Sequence, residues 1–181
     1  METTKSTTEK VGIVSGVFNS RESAERAYDS LIAKGYNADD ITVLMSDETR
    51  DTHFKHDHDD HDTDLGNKSM EGAGVGSAIG GTAGAIIGAI AAAGTAVALP
   101  GLGLVLAGPL AAGLAGAGAG GLTGGLIGAL VGSGIPKERA ETYKSRIKEG
   151  GIVIGVTPRS HTDATAIQDE WRRYNGEEIH Y

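Results

Sequence analysis

The chain has 181 residues, and its formal net charge of −8 argues against a protein that grips the phosphates of nucleic acid, because such a protein needs a basic face. It contains no cysteine, which excludes disulfides, thiolate nucleophiles and cysteine-ligated metal centres. Glycine supplies 29 residues, more than twice the roughly 7% that is average. These numbers predict one domain that carries a glycine-rich segment, with no nucleic acid among its partners.

The first 46 residues contain one βαβ unit behind a short polar start. Residues 1–10 are charged, rich in threonine and without the apolar core of a signal peptide, so we expect a flexible N-terminus and a cytoplasmic protein. Residues 11–46 begin and end in short β-branched runs, which predict strands. Between the strands an apolar stripe predicts a helix, which Asn19 would cap and Gly35 would end. The stripe consists of Ala24, Ala27, Tyr28, Leu31 and Ile32.

Residues 47–71 form a polar linker that is dense in histidine and aspartate. Imidazoles and carboxylates at this density can bind a divalent transition metal such as zinc, nickel or copper, and the candidate ligands are His53, His56, His58 and His61. Spacings of two and three residues in a flexible loop fix no coordination geometry, so a solvated acidic linker is the favoured interpretation. Histidines beside aspartates would also titrate near neutral pH, which leaves pH sensing open.

Residues 72–134 carry no charged side chain and contain two ladders with a glycine at every fourth residue. Glycine costs about 1 kcal/mol relative to alanine inside a helix, and close approach of a second helix offsets that cost. The ladders match as an antiparallel pair about residue 102, within the turn signal Pro100-Gly101-Leu102-Gly103. We therefore predict a glycine-zipper hairpin with one helix over 72–98, a turn over 99–109, and a second helix that restarts at Pro109 and ends near 134. The packing glycines are Gly72, Gly76, Gly80, Gly84, Gly88, Gly116, Gly120, Gly124, Gly128 and Gly132.

Two settings are open for this hairpin. Its helices are long enough to span a bilayer, and the uncharged block favours membrane association. However, the first helix has few strongly apolar residues, and no clear belt of tryptophan or tyrosine flanks the block. The alternative is a large soluble homo-oligomer in which copies of the hairpin bury one another. Both settings predict self-association.

Residues 136–181 hold a connecting helix and a second βαβ unit. Pro136 is suited to start the connecting helix over 136–150, which has a narrow apolar stripe of Ala140, Tyr143 and Ile147. Residues 151–181 repeat the Gly-Ile-Val-x-Gly-Val pattern of the first unit, followed by a helix that Thr162 would cap and a short strand at Glu178–Tyr181. The apolar stripe of this helix consists of Ala164, Ile167, Trp171 and Tyr174. Two βαβ units with one helical layer predict an α+β, ferredoxin-like βαβ–βαβ sandwich that the hairpin interrupts. A different strand order is the alternative.

No set of residues in the sequence indicates catalysis. The glycine-rich strings lack the Lys-Ser or Lys-Thr of a phosphate-binding loop, and the acidic residue of a dinucleotide fingerprint is missing between Gly72 and Gly134. The serines and histidines match neither a nucleophile elbow nor a helical metal motif. We therefore expect a non-enzymatic protein with no cofactor other than the candidate metal of the linker.

The two flanking units resemble the bacterial heat-induced, general stress protein family. The resemblance rests on residues 11–18, the helix start at 22–27, Gly35-Tyr36 and the strand 41–45. Gly134-Ile135-Pro136 and residues 150–153 are similar to the second half of the Gly/Ala-rich members, whereas the His/Asp linker has no counterpart in the pattern. The resemblance implies a stress-associated bacterial protein, often labelled a membrane protein, with no assigned catalytic residues.

Overall fold

The computed structural model describes residues 12–54, 97–99, 103–111, 125–128, 130–132 and 134–181. The strands are β1 Val14–Phe18, β2 Ile41–Ser46, β3 Val97–Leu99, β4 Leu104–Ala107, β5 Ile152–Val156 and β6 Glu177–His180. The named helices are α1 Arg21–Ala33, α2 Asp47–Phe54, α3 Lys137–Lys148 and α4 His161–Arg173, with a 3₁₀ turn at Ala38–Asp40. Residues 109–111 are also helical, and so are residues 125–128 and 130–132, which we call the ladder helix.

The strands form one sheet in the order β3-β4-β2-β5-β1-β6, in which each pair of neighbours is antiparallel. β5, the first strand of the second unit, lies between β1 and β2, the two strands of the first unit, and pairs Val156 with both Val14 and Ile41. The fold class is therefore α+β with an antiparallel sheet, as predicted.

Helices α1 and α4 begin at serine caps. The Ser20 hydroxyl accepts a hydrogen bond from the amide of Ser23, and Ser160 accepts one from Asp163. The predicted caps Asn19 and Thr162 were wrong, because in each case a neighbouring serine already satisfies an amide of the first turn. The predicted stripes face the core, although the last member of each, Ile32 and Tyr174, is only partly buried. The fully buried members are Ala24, Ala27, Tyr28 and Leu31 in α1, and Ala164, Ile167 and Trp171 in α4.

Helices cover both faces of the sheet. On one face α1 and α4 pack against Val14, Phe18 and Ile154. On the other face α3 and the ladder helix pack against Val17, Leu44 and Val153. The expectation of one helical layer was wrong, because the central strands are apolar on both faces and each face needs a cover.

The turn region of the predicted hairpin is built differently from the prediction. Residues 97–98 were predicted as helix and residues 99–109 as turn. Instead, β3 and β4 form an antiparallel β-hairpin in which Leu99 pairs with Leu104, so the chain reverses close to the predicted residue 102. β4 extends the sheet from β2, and Val105 and Leu106 are buried in opposite cores. An uncharged apolar segment can form a strand whose two faces are both buried. Burial in the assembled fold therefore favours a strand over a helix for this segment.

The structure describes helical residues near both predicted ends of the second helix, and one continuous helix between them stays a prediction. Helical structure resumes at Pro109, the ladder helix runs to residue 132, and Gly134 lies in a turn with a φ of 92°. The predicted first helix lies outside the described residues except at 97–98.

The first eight residues of the predicted linker are helix α2 rather than flexible chain. The Ser46 hydroxyl accepts a hydrogen bond from the amide of Thr49, and Asp47 and Glu48 place acidic side chains in the first turn. Phe54 is 3% exposed and joins the core beneath α1. Capping and this one buried ring outweigh the polar composition that favoured a linker.

Candidate functional site

The ladder helix has two different faces. Leu126 and Leu130 are buried in the core under α3, whereas Gly128 and Gly132 are exposed. A Cβ atom built on either of these glycines would meet no described atom within 4 Å. Val131, on the same outward side, is 43% exposed, the highest exposure of a large hydrophobic side chain among the described residues. This outward side, formed by Gly128, Val131 and Gly132, is the glycine face.

The predicted glycine seam is represented in the described residues by the glycine face alone. The eight other ladder positions lie outside them: Gly72, Gly76, Gly80, Gly84, Gly88, Gly116, Gly120 and Gly124. The geometry places the two described ladder glycines away from the sheet core, so their helix docks through its leucines. The seam itself stays a prediction.

His53 is the described member of the candidate metal set. It is exposed in the last turn of α2, and its backbone carbonyl accepts a hydrogen bond from Arg21 Nη1 at 2.7 Å. Its ring lies edge-on to Phe54 at a centroid distance of 6.5 Å. His56, His58 and His61 lie outside the described residues, within which no group of three potential ligands could hold a metal ion. Metal binding therefore stays a prediction.

A polar cleft of about 260 Å³ lies between α2 and the end of α3. Glu48 and His53 line it from α2, and Lys148 and Glu149 line it from the other side. The carboxylates and the lysine give the cleft mixed charge, and Ser46, Thr49 and Thr52 add hydroxyl groups. Such a lining selects neither an anion nor a cation.

A second cleft, of about 230 Å³, lies where α1 meets the strand ends. We call it the Arg159 cleft, and its lining consists of Tyr36, Asp40, Pro109, Thr157 and Arg159. A smaller cavity of about 90 Å³ beside it shares Asp40, Pro109 and Thr157. Sequence reasoning missed this cleft, because its residues come from three separate segments of the chain.

The guanidinium of Arg159 makes contacts within the fold instead of pointing freely into the cleft. Its guanidinium carbon lies 4.3 Å from the centre of the Tyr36 ring, and its nitrogens donate to the carbonyls of Lys34 and Gly35. The Tyr36 hydroxyl in turn donates to the carboxylate of Asp163. A cation at the C-terminal end of α1 satisfies carbonyls that the helix leaves unpaired and complements its dipole. The cluster therefore joins the end of α1 to the start of α4.

A buried hydrogen-bond chain connects α3 to the sheet. Ser15 is 2% exposed, and its hydroxyl lies 2.8 Å from the hydroxyl of the fully buried Tyr143. Tyr143 donates to the carbonyl of Glu178 at 3.1 Å, so it accepts from Ser15. Burial raises the pKa of Tyr143. A serine that donates to a neutral tyrosine is not activated as a nucleophile, so this chain is structural.

The buried tyrosines predict loss of stability at alkaline pH. Burial, with the nearby carboxylates of Asp29 and Asp39, raises the pKa of Tyr28 to about 12, above its ordinary value of about 10. As the pH rises, the unfolded chain loses the hydroxyl proton of Tyr28 before the folded protein does. The stability that this residue contributes is therefore complete below about pH 10 and is lost progressively between about pH 10 and pH 12. In the wild type, we expect ionisation of Tyr28 to lower the unfolding free energy by on the order of 2 kcal/mol across this range. The Tyr28→Phe variant should lack this decrease, because phenylalanine does not ionise.

Urea unfolding of the wild type and the Tyr28→Phe variant at several pH values from 8 to about 12 measures this difference. The variant at pH 8 is its own control for any cost of the lost hydroxyl. Equal slopes of unfolding free energy against pH in the two proteins would contradict the role given to Tyr28.

Comparison with known proteins found no match: no family model, no curated protein and no solved structure is significantly similar to the chain. Within the ranges that the structure describes, none of the helices combines the length and the hydrophobicity needed to cross a membrane. The function must therefore be inferred from the glycine face, the buried clusters and the composition of the chain.

Proposed function

We propose that the protein is a non-enzymatic bacterial stress-response protein that self-associates through its glycine-rich block. The observation that carries this proposal is the orientation of the ladder helix, with Leu126 and Leu130 in the core and Gly128 and Gly132 outward. The resemblance of the flanking units to the heat-induced stress family supports the biological role.

The outward glycines support a further packing partner for this helix. Glycine in a helix costs about 1 kcal/mol relative to alanine, and an exposed glycine makes no contact that offsets this cost. Close packing of another helix would offset the cost, because small residues spaced four apart let two helix backbones approach each other. Gly76 and Gly72, in the other ladder, have the spacing that matches Gly128 and Gly132. The proposed hairpin and its sister copies supply such partners.

The sheet supports a ferredoxin-like core for the domain that carries the block. The strands of the two units lie in the order β6-β1-β5-β2, and α1 and α4 share one face. This is the order expected when two βαβ units interlock. The glycine-rich block enters the sheet as the added β3–β4 hairpin next to β2. The domain would thus anchor the block at a sheet edge.

The state of the described polar groups supports a role without catalysis. Arg159 is bonded to backbone carbonyls, and Tyr143 is bonded to Ser15 and Glu178. Asp40 accepts from the amide of Asn37 at 3.1 Å. Each of these groups has a structural partner, so the Arg159 cleft and the Ser15–Tyr143 chain, as described, hold no activated nucleophile with a base beside it.

Self-association is tested by a variant that fills both ladders. In Gly80→Leu/Gly124→Leu two leucines would meet in the proposed seam, and we expect a smaller particle in sedimentation velocity and a lower thermal midpoint. The matched control is Gly81→Leu/Gly121→Leu, which adds the same bulk next to the ladders and should keep the size of the wild type. Unchanged size and midpoint in the ladder variant would reject the seam.

Membrane fractionation separates the two settings of the block. Protein that pellets with membranes and resists an alkaline wash would indicate insertion into the bilayer. Protein that stays in the supernatant as large particles would indicate a soluble homo-oligomer. A monomer in the supernatant would contradict self-association in either setting.

A further inference from the structure

The turn between α4 and β6 differs in one residue from the turns that follow α1 and α3. After each of these helices, one residue is left-handed and the next amide bonds back to the carbonyl five residues earlier. The left-handed residue is Gly35 after α1 and Gly150 after α3, whereas after α4 it is Asn175, with a φ of 58°. Asparagine tolerates this conformation better than most other residues with a side chain. Asparagine therefore takes the place that glycine has in the other two turns.

The next position, 176, has room for glycine alone. A Cβ atom built on Gly176 would lie 2.9 Å from the carbonyl oxygen of Trp171. It would also lie 3.0 Å from Cδ1 of Ile179 and 3.0 Å from Cε1 of Phe18. The carbonyl oxygen belongs to the backbone of the turn itself, so it cannot move away without breaking the turn. The fold thus places an Asn-Gly pair here, and it is the one such pair in the sequence.

An asparagine that precedes glycine is chemically labile, because glycine has no side chain to hinder its amide nitrogen. The amide nitrogen of Gly176 would attack Cγ of Asn175 and form a C–N bond. The bond from Cγ to Nδ2 breaks, and ammonia leaves with the proton that the attacking amide gives up. Water then opens one of the two ring C–N bonds of the resulting succinimide, which yields aspartate or isoaspartate. Water is the one co-reactant that this deamidation needs.

The folded turn protects the attacking nitrogen. The N–H of Gly176 donates to the carbonyl of Trp171 at 2.9 Å, and this hydrogen bond is lost when the amide gives up its proton. The amide of Asn175 donates to the carbonyl of Arg172 at 3.3 Å, which fixes the backbone before the reacting bond. The side chain of Asn175 is exposed, so water reaches it in the folded protein. Opening of the turn, rather than access of water, therefore limits the reaction.

β6, the strand that follows this turn, is loosely held. It lies at an edge of the sheet, its residues are exposed or half-buried, and its register with β1 is irregular. Ile179 holds it to the core, and Cγ1 of this residue lies 3.2 Å from the Cβ position of Gly16 in β1. Edge segments with few buried contacts open at lower free energy than the whole domain. Because Ile179 also packs over Gly176, detachment of β6 would uncover the turn.

We propose that Asn175 is a site of spontaneous deamidation and that detachment of β6 sets the rate of this reaction. Self-association plays no part in it, because the residues concerned lie in β1, α4 and β6. The product adds a negative charge at the C-terminal end of α4, where the helix dipole is also negative, next to Glu177 and Glu178. Isoaspartate also lengthens the main chain by one carbon atom. Both changes oppose the turn, so a deamidated chain holds β6 less firmly.

Mass spectrometry of the full chain measures the reaction. During incubation at about pH 8 and about 37 °C, trypsin digests should show conversion of an amide to an acid in the peptide 174–181. We expect this conversion to be at least about 10-fold faster than that of Asn37, because Asn37 precedes alanine and its side chain donates to Asp40. Conversion of Asn175 no faster than that of Asn37 would overturn the site.

Two matched variants separate detachment of β6 from unfolding of the whole domain. Ile179→Ala removes the side chain that holds β6, and Ile32→Ala makes the same change in α1, where isoleucine is partly buried against the same core. We expect Ile179→Ala to convert Asn175 about 10-fold faster than the wild type, and Ile32→Ala to stay within about twofold of it. In urea the three proteins should convert at one common rate, because opening no longer limits the reaction. Equal acceleration in both variants, or acceleration in neither, would overturn the role of β6.

The consequence for β6 is tested at the same residue. Asn175→Asp represents one product, and Asn175→Gly keeps the left-handed turn without the charge. Hydrogen exchange of the β6 amides should be about 10-fold faster in Asn175→Asp than in Asn175→Gly. Equal exchange in these two variants would overturn the loosening of β6 by the added charge.

Discussion

Replacing Gly108 with alanine is expected to destabilise the protein by about 2–5 kcal/mol and to loosen β4 from β2. Gly108 follows β4 and has a φ of 86°, a left-handed conformation that costs alanine roughly 1–2 kcal/mol. A Cβ atom at this position would clash with the carbonyl oxygen of Ile41 and would lie 3.0 Å from Cα of Thr42. Because both neighbours are backbone atoms of β2, one strand must move away from the other.

Gly103→Ala is the matched control for this change. Gly103 also has a positive φ, 61°, but the described structure places no atom within 4 Å of its Cβ position. It should therefore cost only the conformational penalty of roughly 1–2 kcal/mol. Denaturant unfolding measures both free energies, and hydrogen exchange of the amides of β2 and β4 reports the local loosening. Equal costs at the two glycines would contradict the close approach of Gly108 to β2.

The two βαβ units could be predicted from the sequence because their signals are local. In α1 and α4 the apolar residues recur at helical spacing, and the same residues are buried in the structure. Gly35 ends α1 in the left-handed conformation that was expected of it, with a φ of 81°. The connecting helix α3 buries its predicted stripe of Ala140, Tyr143 and Ile147 as well.

The β3–β4 hairpin could not be predicted, because residues 97–107 contain no polar residue that sets a period. An uninterrupted apolar run fits a buried helix and a strand covered on both faces equally well. The choice depends on β2, which would otherwise lack a neighbour on the side away from β5. That is a property of the assembled sheet rather than of the segment.

The Arg159 cleft was also beyond sequence reasoning. Tyr36 and Arg159 are more than 120 positions apart, and the single local hint was Arg159-Ser160 directly before a helix. The contact follows from the antiparallel strands, which bring the end of α1 beside the start of α4. Distances of this kind are set by topology and not by local pattern.

Truncation of Trp171 to alanine is expected to cost about 3–5 kcal/mol of unfolding free energy, the range for removing a buried aromatic side chain. Trp171 is 0% exposed and meets the Phe18 ring edge-on at a centroid distance of 5.5 Å. Its Cε3 atom lies 3.2 Å from the Cβ position of Gly16 in β1. Glycine at this position therefore leaves room for the indole ring against the strand. The cavity would open between α4 and the centre of the sheet.

Trp171→Phe separates the packing of this residue from its polar atom. Within the described structure Nε1 of Trp171 is buried without a hydrogen-bond partner, so phenylalanine gives up volume and no hydrogen bond. We expect Trp171→Phe to cost about 1–2 kcal/mol, clearly less than alanine, in urea unfolding followed by circular dichroism. If phenylalanine proves as costly as alanine, the indole N–H must have a partner beyond the described residues, and packing alone does not explain Trp171.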